Sequence, residues 1–152
     1  PWRAIHFENT FSYVNAVQRH ADSDGKYLPF IPAPRWVSNL HADLNSPLRC
    51  LSNLCVVAEM QCNLRQNHYY RLYNTETATP SYTIFNLSLS ADIHVRNRHA
   101  ATVTLMADNI FDRAYQSHLS RLKYAAMNNV TGHMGVFNQG RNFGIKVSVP
   151  II

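Results

Sequence analysis

Residues 82–115 read YTIFNLSLSADIHVRNRHAATVTLMADNIFDRAY, and this stretch decides the fold. Apolar and small polar side chains alternate along both of its halves, which is the period of a β-strand with two different faces. The polar segment at 96–99 separates the halves and is short enough to be a hairpin turn. The sequence therefore predicts two antiparallel strands, at 82–95 and 100–115.

The same alternation recurs along most of the chain. Clusters of Asn, Asp, Pro and Gly break it into further predicted strands at 4–18, 35–45, 53–70 and 141–151. The connections are short at 46–52 and 96–99, and long at 19–34, 71–81 and 116–140. Up-and-down membrane barrels have this layout, with short turns at one end and long loops at the other. We therefore predict an all-β fold, in which about six antiparallel strands form part of a transmembrane β-barrel.

One face of the predicted strands is apolar, and no charged residue interrupts it. Its members include Ile5, Phe7, Phe11, Trp36, Leu40, Ala42, Leu54, Val56, Ala58, Met60, Cys62, Phe85, Leu87, Leu89, Val103, Leu105, Ala107, Phe143, Ile145 and Val147. The opposite face carries His6, Glu8, His41, Asp43, Glu59, Gln61, Asn63, Asp92, Asp108 and Lys146. Such strands separate lipid from a polar lumen in a membrane barrel, or a packed core from water in a soluble sheet.

Aromatic residues favour the membrane interpretation. We predict outward aromatic side chains at the strand ends beside the long loops, at Tyr13, Trp36, Tyr70, Phe85, Phe111, Tyr115 and Phe143. A ring of aromatics at one height is typical of a membrane–water interface. In a soluble core, large aromatics would be spread along the strands to fill volume.

Composition excludes other classes of protein. Only 15% of the residues are charged, against about 25% in ordinary soluble domains. The net charge of +5 would suit nucleic acid, but the basic residues form no stripe on one element and no nucleic-acid motif is present. Cys50, Cys55 and Cys62 are an odd number of cysteines, and their spacing fits no zinc signature. A Cys50–Cys55 disulfide or metal pair is the alternative to three buried or turn thiols.

Four segments carry a resemblance to a known family. They are Leu28-Pro29-Phe30-Ile31-Pro32-Ala33-Pro34-Arg35, Tyr82-Thr83-Ile84-Phe85-Asn86-Leu87, Asp108-Asn109-Ile110-Phe111-Asp112-Arg113-Ala114-Tyr115 and Gly140-Arg141-Asn142-Phe143. In this order and spacing they are similar to the end of TonB-dependent receptors. The segment from Gln116 to Tyr124 resembles a version common in receptors of the Bacteroides type. Family members commonly end in an aromatic residue, whereas this chain ends Val149-Pro150-Ile151-Ile152.

The resemblance implies where this segment lies in a longer protein and what that protein does. Residues 1–152 would be the C-terminal part of an outer-membrane barrel of about 22 strands, without the N-terminal plug and the earlier strands. The parent receptor would import a scarce nutrient, an iron or other metal chelate, with energy from the TonB complex of the inner membrane. Its partners would be outer-membrane lipid and lipopolysaccharide, the TonB complex through the N-terminal region, and a small-molecule ligand. No enzyme activity, cofactor or nucleic-acid partner is expected.

The long loop at 116–140 holds the candidate ligand-binding residues. They are His118, Arg121, Lys123, His133 and Arg141. The positive charge of Arg121, Lys123 and Arg141 would attract an anionic chelate, or pair with lipopolysaccharide phosphates or loop carboxylates. His118 and His133 are the best histidine pair for ligating a metal or haem, because a loop can fold its ends together. None of the eight histidines shows the spacing of a metal motif, and we predict no metal site and no catalytic residue. The alternative functions are a soluble lipocalin-like binding protein and a passive outer-membrane porin.

Overall fold

Six β-strands form the sheet in the part of the chain that the structure describes. The computed structural model describes residues 4–46, 48–96 and 98–150. The strands are β1 (Ile5–Ser12), β2 (Arg35–Leu44), β3 (Leu51–Asn63), β4 (Tyr82–Val95), β5 (Arg98–Asp108) and β6 (Asn142–Ser148). They form one sheet in chain order, and every neighbouring pair is antiparallel. The predicted all-β fold of six antiparallel strands is confirmed.

Three single turns of 3-10 helix lie in the long connections, at Ser23–Gly25, Leu72–Asn74 and Arg121–Tyr124. No helix in the described ranges has the length and apolar character needed to cross a membrane.

Three strands end earlier than predicted on the side of the long loops. The predicted strands 4–18, 53–70 and 100–115 stop at Ser12, Asn63 and Asp108. Beyond Ser12 and Asn63 the chain still pairs locally, at Val17 with Tyr27 and at Gln66 with Thr79. These irregular hairpins also have two faces, so apolar and polar residues keep alternating in the sequence beyond the end of the sheet. The predicted strands at 4–18 and 53–70 are too long for this reason.

The strand register aligns the apolar side chains into rows that cross the whole sheet. One row runs Phe7, Leu40, Ala58, Leu87, Ala107 and Phe143, from β1 to β6. The next runs Ile5, Ala42, Val56, Leu89, Leu105 and Ile145. Because side chains alternate between faces, the polar residues form rows of their own on the other side, such as Glu8, Asn39, Glu59 and Asn86. The predicted division into two faces is confirmed.

Asn9 and Ser38 are polar residues on the apolar face, and their side chains hydrogen-bond to each other there. Asn9 and Ser38 pair across β1 and β2. The Asn9 Oδ1 atom accepts hydrogen bonds from Ser38 Oγ at 2.6 Å and from Trp36 Nε1 at 3.1 Å. These three side chains therefore pair their polar atoms with one another, which limits the free-energy cost of placing them in an apolar environment.

One predicted outward aromatic lies on the other side of the sheet. Tyr115 stacks on Tyr82 with ring centroids 4.5 Å apart, and Tyr82 pairs with Asn63 on the polar face. The prediction for Tyr115 is wrong because β5 ends at Asp108 and the turn that follows breaks the alternation. Phe111 keeps to the apolar face, where its ring meets Phe85 edge-on at 5.3 Å.

The strands do not enclose a core of their own. The accessible surface is 11313 Å² for a 17.4 kDa chain, whereas a compact soluble monomer of that mass has roughly 7,900 Å². Large apolar side chains of the sheet are exposed, including Phe7 at 62% and Ile145 at 67% of their full accessible surface. The buried hydrophobic residues of the described part are Ile31, Val37 and Ile84. Val37 and Ile84 both pair with Gln61 on the polar face, next to the long loops.

Candidate functional site

The three long connections lie at the same end of the sheet and pack against one another. We call residues 13–34, 64–81 and 109–141 the loop cap. The first and second loops are joined by Gln66, whose Nε2 atom donates to the carbonyls of Ile31 at 3.2 Å and Pro32 at 3.0 Å. The Arg71 backbone N–H donates to the Asp24 carbonyl at 3.0 Å. The loops therefore form one structure rather than three free segments.

A buried carboxylate also holds the first two loops together. Glu76 is 3% exposed, and its Oε1 atom accepts a hydrogen bond from the Phe30 backbone N–H at 2.8 Å. Its Oε2 atom accepts from the Tyr70 backbone N–H at 2.9 Å. Phe30 has a positive φ of 60°, a strained conformation for a non-glycine residue. The Glu76 bond fixes the backbone at that point.

The second and third loops are joined through a buried polar chain of three side chains. Lys123 Nζ donates to Thr79 Oγ1 at 2.8 Å and to the Thr77 carbonyl at 3.0 Å. Thr79 Oγ1 lies 2.8 Å from His118 Nδ1. All three side chains are buried. An ammonium group needs such acceptors when it is removed from water.

Burial and the neighbouring charges set the charge state of His118. Lys123 only donates, so Thr79 Oγ1 accepts from it and shares a second hydrogen bond with His118 Nδ1, whose direction depends on the imidazole tautomer. Burial lowers the pKa of His118, the charge of Lys123 lowers it further, and Glu76 opposes them. His118 is therefore neutral at pH 7.

A cavity of about 210 Å³ lies between the loop cap and the polar face of the sheet. Its lining residues are Ser12, Pro32, Ala33, Arg35, Asn63, Tyr82, Ser117, His118 and Leu119. Ser12, Arg35, Asn63 and Tyr82 form one cross-strand row from β1 to β4, which is the last row of the polar face. The other residues come from the first and third loops. Arg35 is the charged residue of this lining.

A clasp of side-chain hydrogen bonds closes the base of the third loop. Asn109 is 3% exposed and adopts a φ of 49°. Its Oδ1 atom accepts from the Arg113 N–H and its Nδ2 atom donates to the Arg113 carbonyl, both at 2.9 Å. Asp112 Oδ1 then accepts from the Arg141 N–H at 2.8 Å, which ties the start of the loop to its end. Asn and Asp suit these positions because they tolerate left-handed backbone and bond locally to it.

The five predicted ligand-binding residues occupy different surroundings. His118 and Lys123 are joined through Thr79 in the buried chain, and His118 lines the cavity. The Arg121 guanidinium lies over the Phe30 ring at 4.6 Å. His133 is exposed, with its ring edge-on to Phe137, and the Arg141 backbone bonds to Asp112. Ligand binding by the five stays a prediction.

Sequence reasoning overlooked Arg35, Tyr82, Glu76 and Thr79. Arg35 directly follows Pro32-Ala33-Pro34 and is the first residue of β2. A charged residue at that position could have been predicted from the sequence to lie beside the loops. Among the described residues, no group of three or more His, Cys, Asp and Glu side chains could hold a metal ion.

Comparison with known proteins shows a likeness of fold. No family model matches the chain, and no curated protein sequence matches it. Among solved structures it is similar to the copper transporter OprC, with a TM-score of 0.73 and 18% sequence identity. The match covers 97% of this chain and 21% of that one, so the chain spans about a fifth of the transporter's length. At this identity the similarity establishes the architecture of the sheet and its loops.

Two glycines of the third loop provide a test of cap packing. At Gly135 a Cβ atom would overlap the Lys123 carbonyl oxygen and lie 2.6 Å from the carbonyl carbon, and φ is +75°. At Gly132 φ is +69° but nothing lies within 4 Å. We expect Gly132→Ala to cost about 1–2 kcal/mol for the left-handed backbone alone. Gly135→Ala should cost more and should also accelerate hydrogen exchange at the Thr79 and Val136 amides. Equal effects of the two substitutions would contradict the described packing around Lys123.

A second prediction concerns acid. Because the folded-state pKa of His118 is lowered, its contribution favours the cap above the ordinary histidine pKa of about 6.5 and is lost as the pH falls below it. Between pH 7 and 5, amide exchange in the cap, corrected for its intrinsic pH dependence, should rise by up to about tenfold per pH unit. His118→Gln should remove this dependence, and His133→Gln, at an exposed site of the same loop, should retain it. A response that survives His118→Gln would assign the acid effect to another group.

Proposed function

We propose that this chain is the C-terminal part of an outer-membrane β-barrel transporter that takes up a metal complex, with the loop cap facing the cell exterior. Residues 1–152 are then a partial barrel domain, and the N-terminal plug and earlier strands belong to the rest of the protein. The observation that carries the proposal is the open apolar face of a sheet whose fold matches a copper transporter along 97% of the chain.

The apolar face fits lipid better than it fits a soluble core. Its rows run uninterrupted by charge from β1 to β6, and no second layer covers them in the described structure. Strands β2, β3, β4 and β5 are 10, 13, 14 and 11 residues long, and a tilted strand needs about 9–11 to cross a bilayer. The soluble lipocalin-like alternative would need these rows to face inward.

The sheet also needs further strands on both sides. Among the described residues, β1 and β6 pair on one edge only. In a bilayer every backbone N–H and C=O must be hydrogen-bonded, so an open edge is not stable there. A barrel of about 22 strands would supply the missing partners, with roughly 16 strands from elsewhere in the protein.

The loop cap favours a receptor over a passive porin. Buried hydrogen bonds of Glu76, Thr79 and Lys123 hold the three loops over the polar face, next to the cavity at Arg35. An ordered cap that carries a basic cavity suits selective capture, whereas a porin needs an open passage. Energy would come from the TonB complex, and the outer surface would contact lipid and lipopolysaccharide. The protein itself would carry out no covalent chemistry.

The two faces give a direct test of membrane insertion. Leu105 lies in an apolar row between Leu89 and Ile145, and Thr104 lies on the polar face between Ser90 and Lys146. In the full protein folded into lipid vesicles, Leu105→Arg should reduce the free energy of unfolding by about 2–4 kcal/mol. Thr104→Arg should cost far less. Similar costs at these adjacent positions would show that the apolar face does not contact lipid.

Uptake by cells tests the transport proposal. Cells that lack the protein should lose uptake of radioactive copper or of radioactive ferric citrate, and the wild-type gene should restore it. A protonophore should abolish the restored uptake, because TonB-dependent import needs the proton gradient, whereas passage through a porin would continue. The double variant Ser88→Ala with Thr104→Ala, which changes only small hydroxyls of the polar face, is the control and should import normally. Full uptake without the protein, for both probes, would reject the proposal.

A further inference from the structure

Two histidines face each other across the first two strands, on the polar face of the sheet. His6 of β1 lies directly opposite His41 of β2 in the strand register. Their ring centroids are 5.9 Å apart, and the ring planes are inclined by 58°. This row lies about 20 Å along the strand from Ser12, which lines the cavity under the loop cap. The pair is therefore separate from the candidate site in the loops.

The rings of this pair are not engaged by hydrogen bonds within the described ranges. His94 and His99 form a second cross-strand pair with ring centroids 5.7 Å apart. Neighbouring hydroxyl groups lie within hydrogen-bond distance of ring nitrogens in that second pair, at 3.4 and 3.2 Å. For His6 and His41 the contact in the described structure is with each other's ring. Their nitrogens are thus free to take a ligand.

The charges around the pair specify the kind of ligand. Glu8 is two residues from His6, and Asp43 is two residues from His41, so both carboxylates share the face of the histidines. Neither Lys nor Arg occupies a neighbouring position of this face on β1, β2 or β3. A carboxylate on either side favours a cation and disfavours an anion.

The geometry of the two imidazoles matches a transition-metal ion. Histidine nitrogens bind Zn²⁺ at about 2.0–2.1 Å, which puts the ring centroids of two imidazoles on one tetrahedral ion about 5 Å apart. Small rotations about the side-chain bonds reach this separation from 5.9 Å. Hard ions such as Mg²⁺ and Ca²⁺ prefer oxygen ligands, whereas imidazole suits zinc, nickel and copper.

We propose that His6 and His41 together bind one divalent transition-metal ion on the polar face of the sheet, with Cu²⁺ held most tightly of the common ions. Among the described residues no third histidine, cysteine or carboxylate completes a metal site, so water or the rest of the protein supplies the other ligands. Glu8 and Asp43 act through their charge. The inference goes beyond the transport proposal and does not depend on it, because it concerns a position for a metal ion far from the loops.

Chemical modification of the full-length protein in detergent tests the pair, with Zn²⁺ alone as the probe. Diethyl pyrocarbonate should modify both histidines in the metal-free protein, and peptide mass spectrometry locates the products. Zn²⁺ should protect His6 and His41 at the same half-saturating concentration, because one ion occupies both rings.

Single substitutions show whether the two rings act together. In His41→Gln the Zn²⁺ concentration that protects His6 should rise at least about tenfold, since even the loss of an outer-shell partner of a metal ligand costs that much affinity. His6→Gln should have the same effect on His41. The control is His133→Gln, at an exposed histidine of the third loop, which should leave the protection of both residues unchanged.

The outcomes separate this inference from the transport proposal. Protection of His6 that persists in His41→Gln at an unchanged Zn²⁺ concentration would overturn the site, because a chelated ion needs both rings. So would two histidines that do not react in the metal-free protein, because another part of the protein would then cover them. A wild-type protein that imports radioactive copper without Zn²⁺ protection of the pair would reject the site and leave the transporter intact. Protection of the pair in a protein that imports neither copper nor ferric citrate would do the reverse.

Discussion

The cross-strand register of the sheet is the constraint on which the rest of the structure depends. Side chains alternate at every residue, so a slip of one position in any strand would move its apolar side chains to the polar face. The register instead keeps Phe7, Leu40, Ala58, Leu87, Ala107 and Phe143 in one row. The same register brings Ser12, Arg35, Asn63 and Tyr82 together as the last polar row. The floor of the cavity is thus a direct result of strand pairing.

The loop cap is held by polar contacts where a soluble domain would use an apolar core. Glu76, Thr79, His118 and Lys123 are buried, and hydrogen bonds engage each of them. Such a network is rigid when every polar group in it has a hydrogen-bond partner, and a buried group without a partner lowers the stability of the fold. Among the described residues, Nε2 of His118 is the buried side-chain atom of this network that lacks a hydrogen-bond partner.

The sequence predicted the sheet well and the cap poorly, for physical reasons. Alternation is a local signal, so strand identity, the two faces and the short turns could be predicted from it. The ends at Ser12 and Asn63 could not, because the irregular hairpins beyond them alternate as well. The end at Asp108 could not either, because it is set by the turn that follows. Contacts such as Lys123 with Thr79 join residues 44 positions apart, and no local pattern indicates them. Lys123 was singled out for its charge and His118 as a candidate ligand, and the structure shows that Lys123 Nζ joins the second and third loops.

The three loops of the cap are mutually dependent, and this has a consequence for how the protein can change. The first loop is tied to the second through Glu76 and Gln66, and the second to the third through Thr79 and Lys123. A loop transplanted alone from a relative would arrive without the acceptors and donors that its neighbours need. The three loops should therefore be exchanged together as one unit. A chimaera that replaces all three can acquire a new ligand specificity while the strands beneath them stay unchanged.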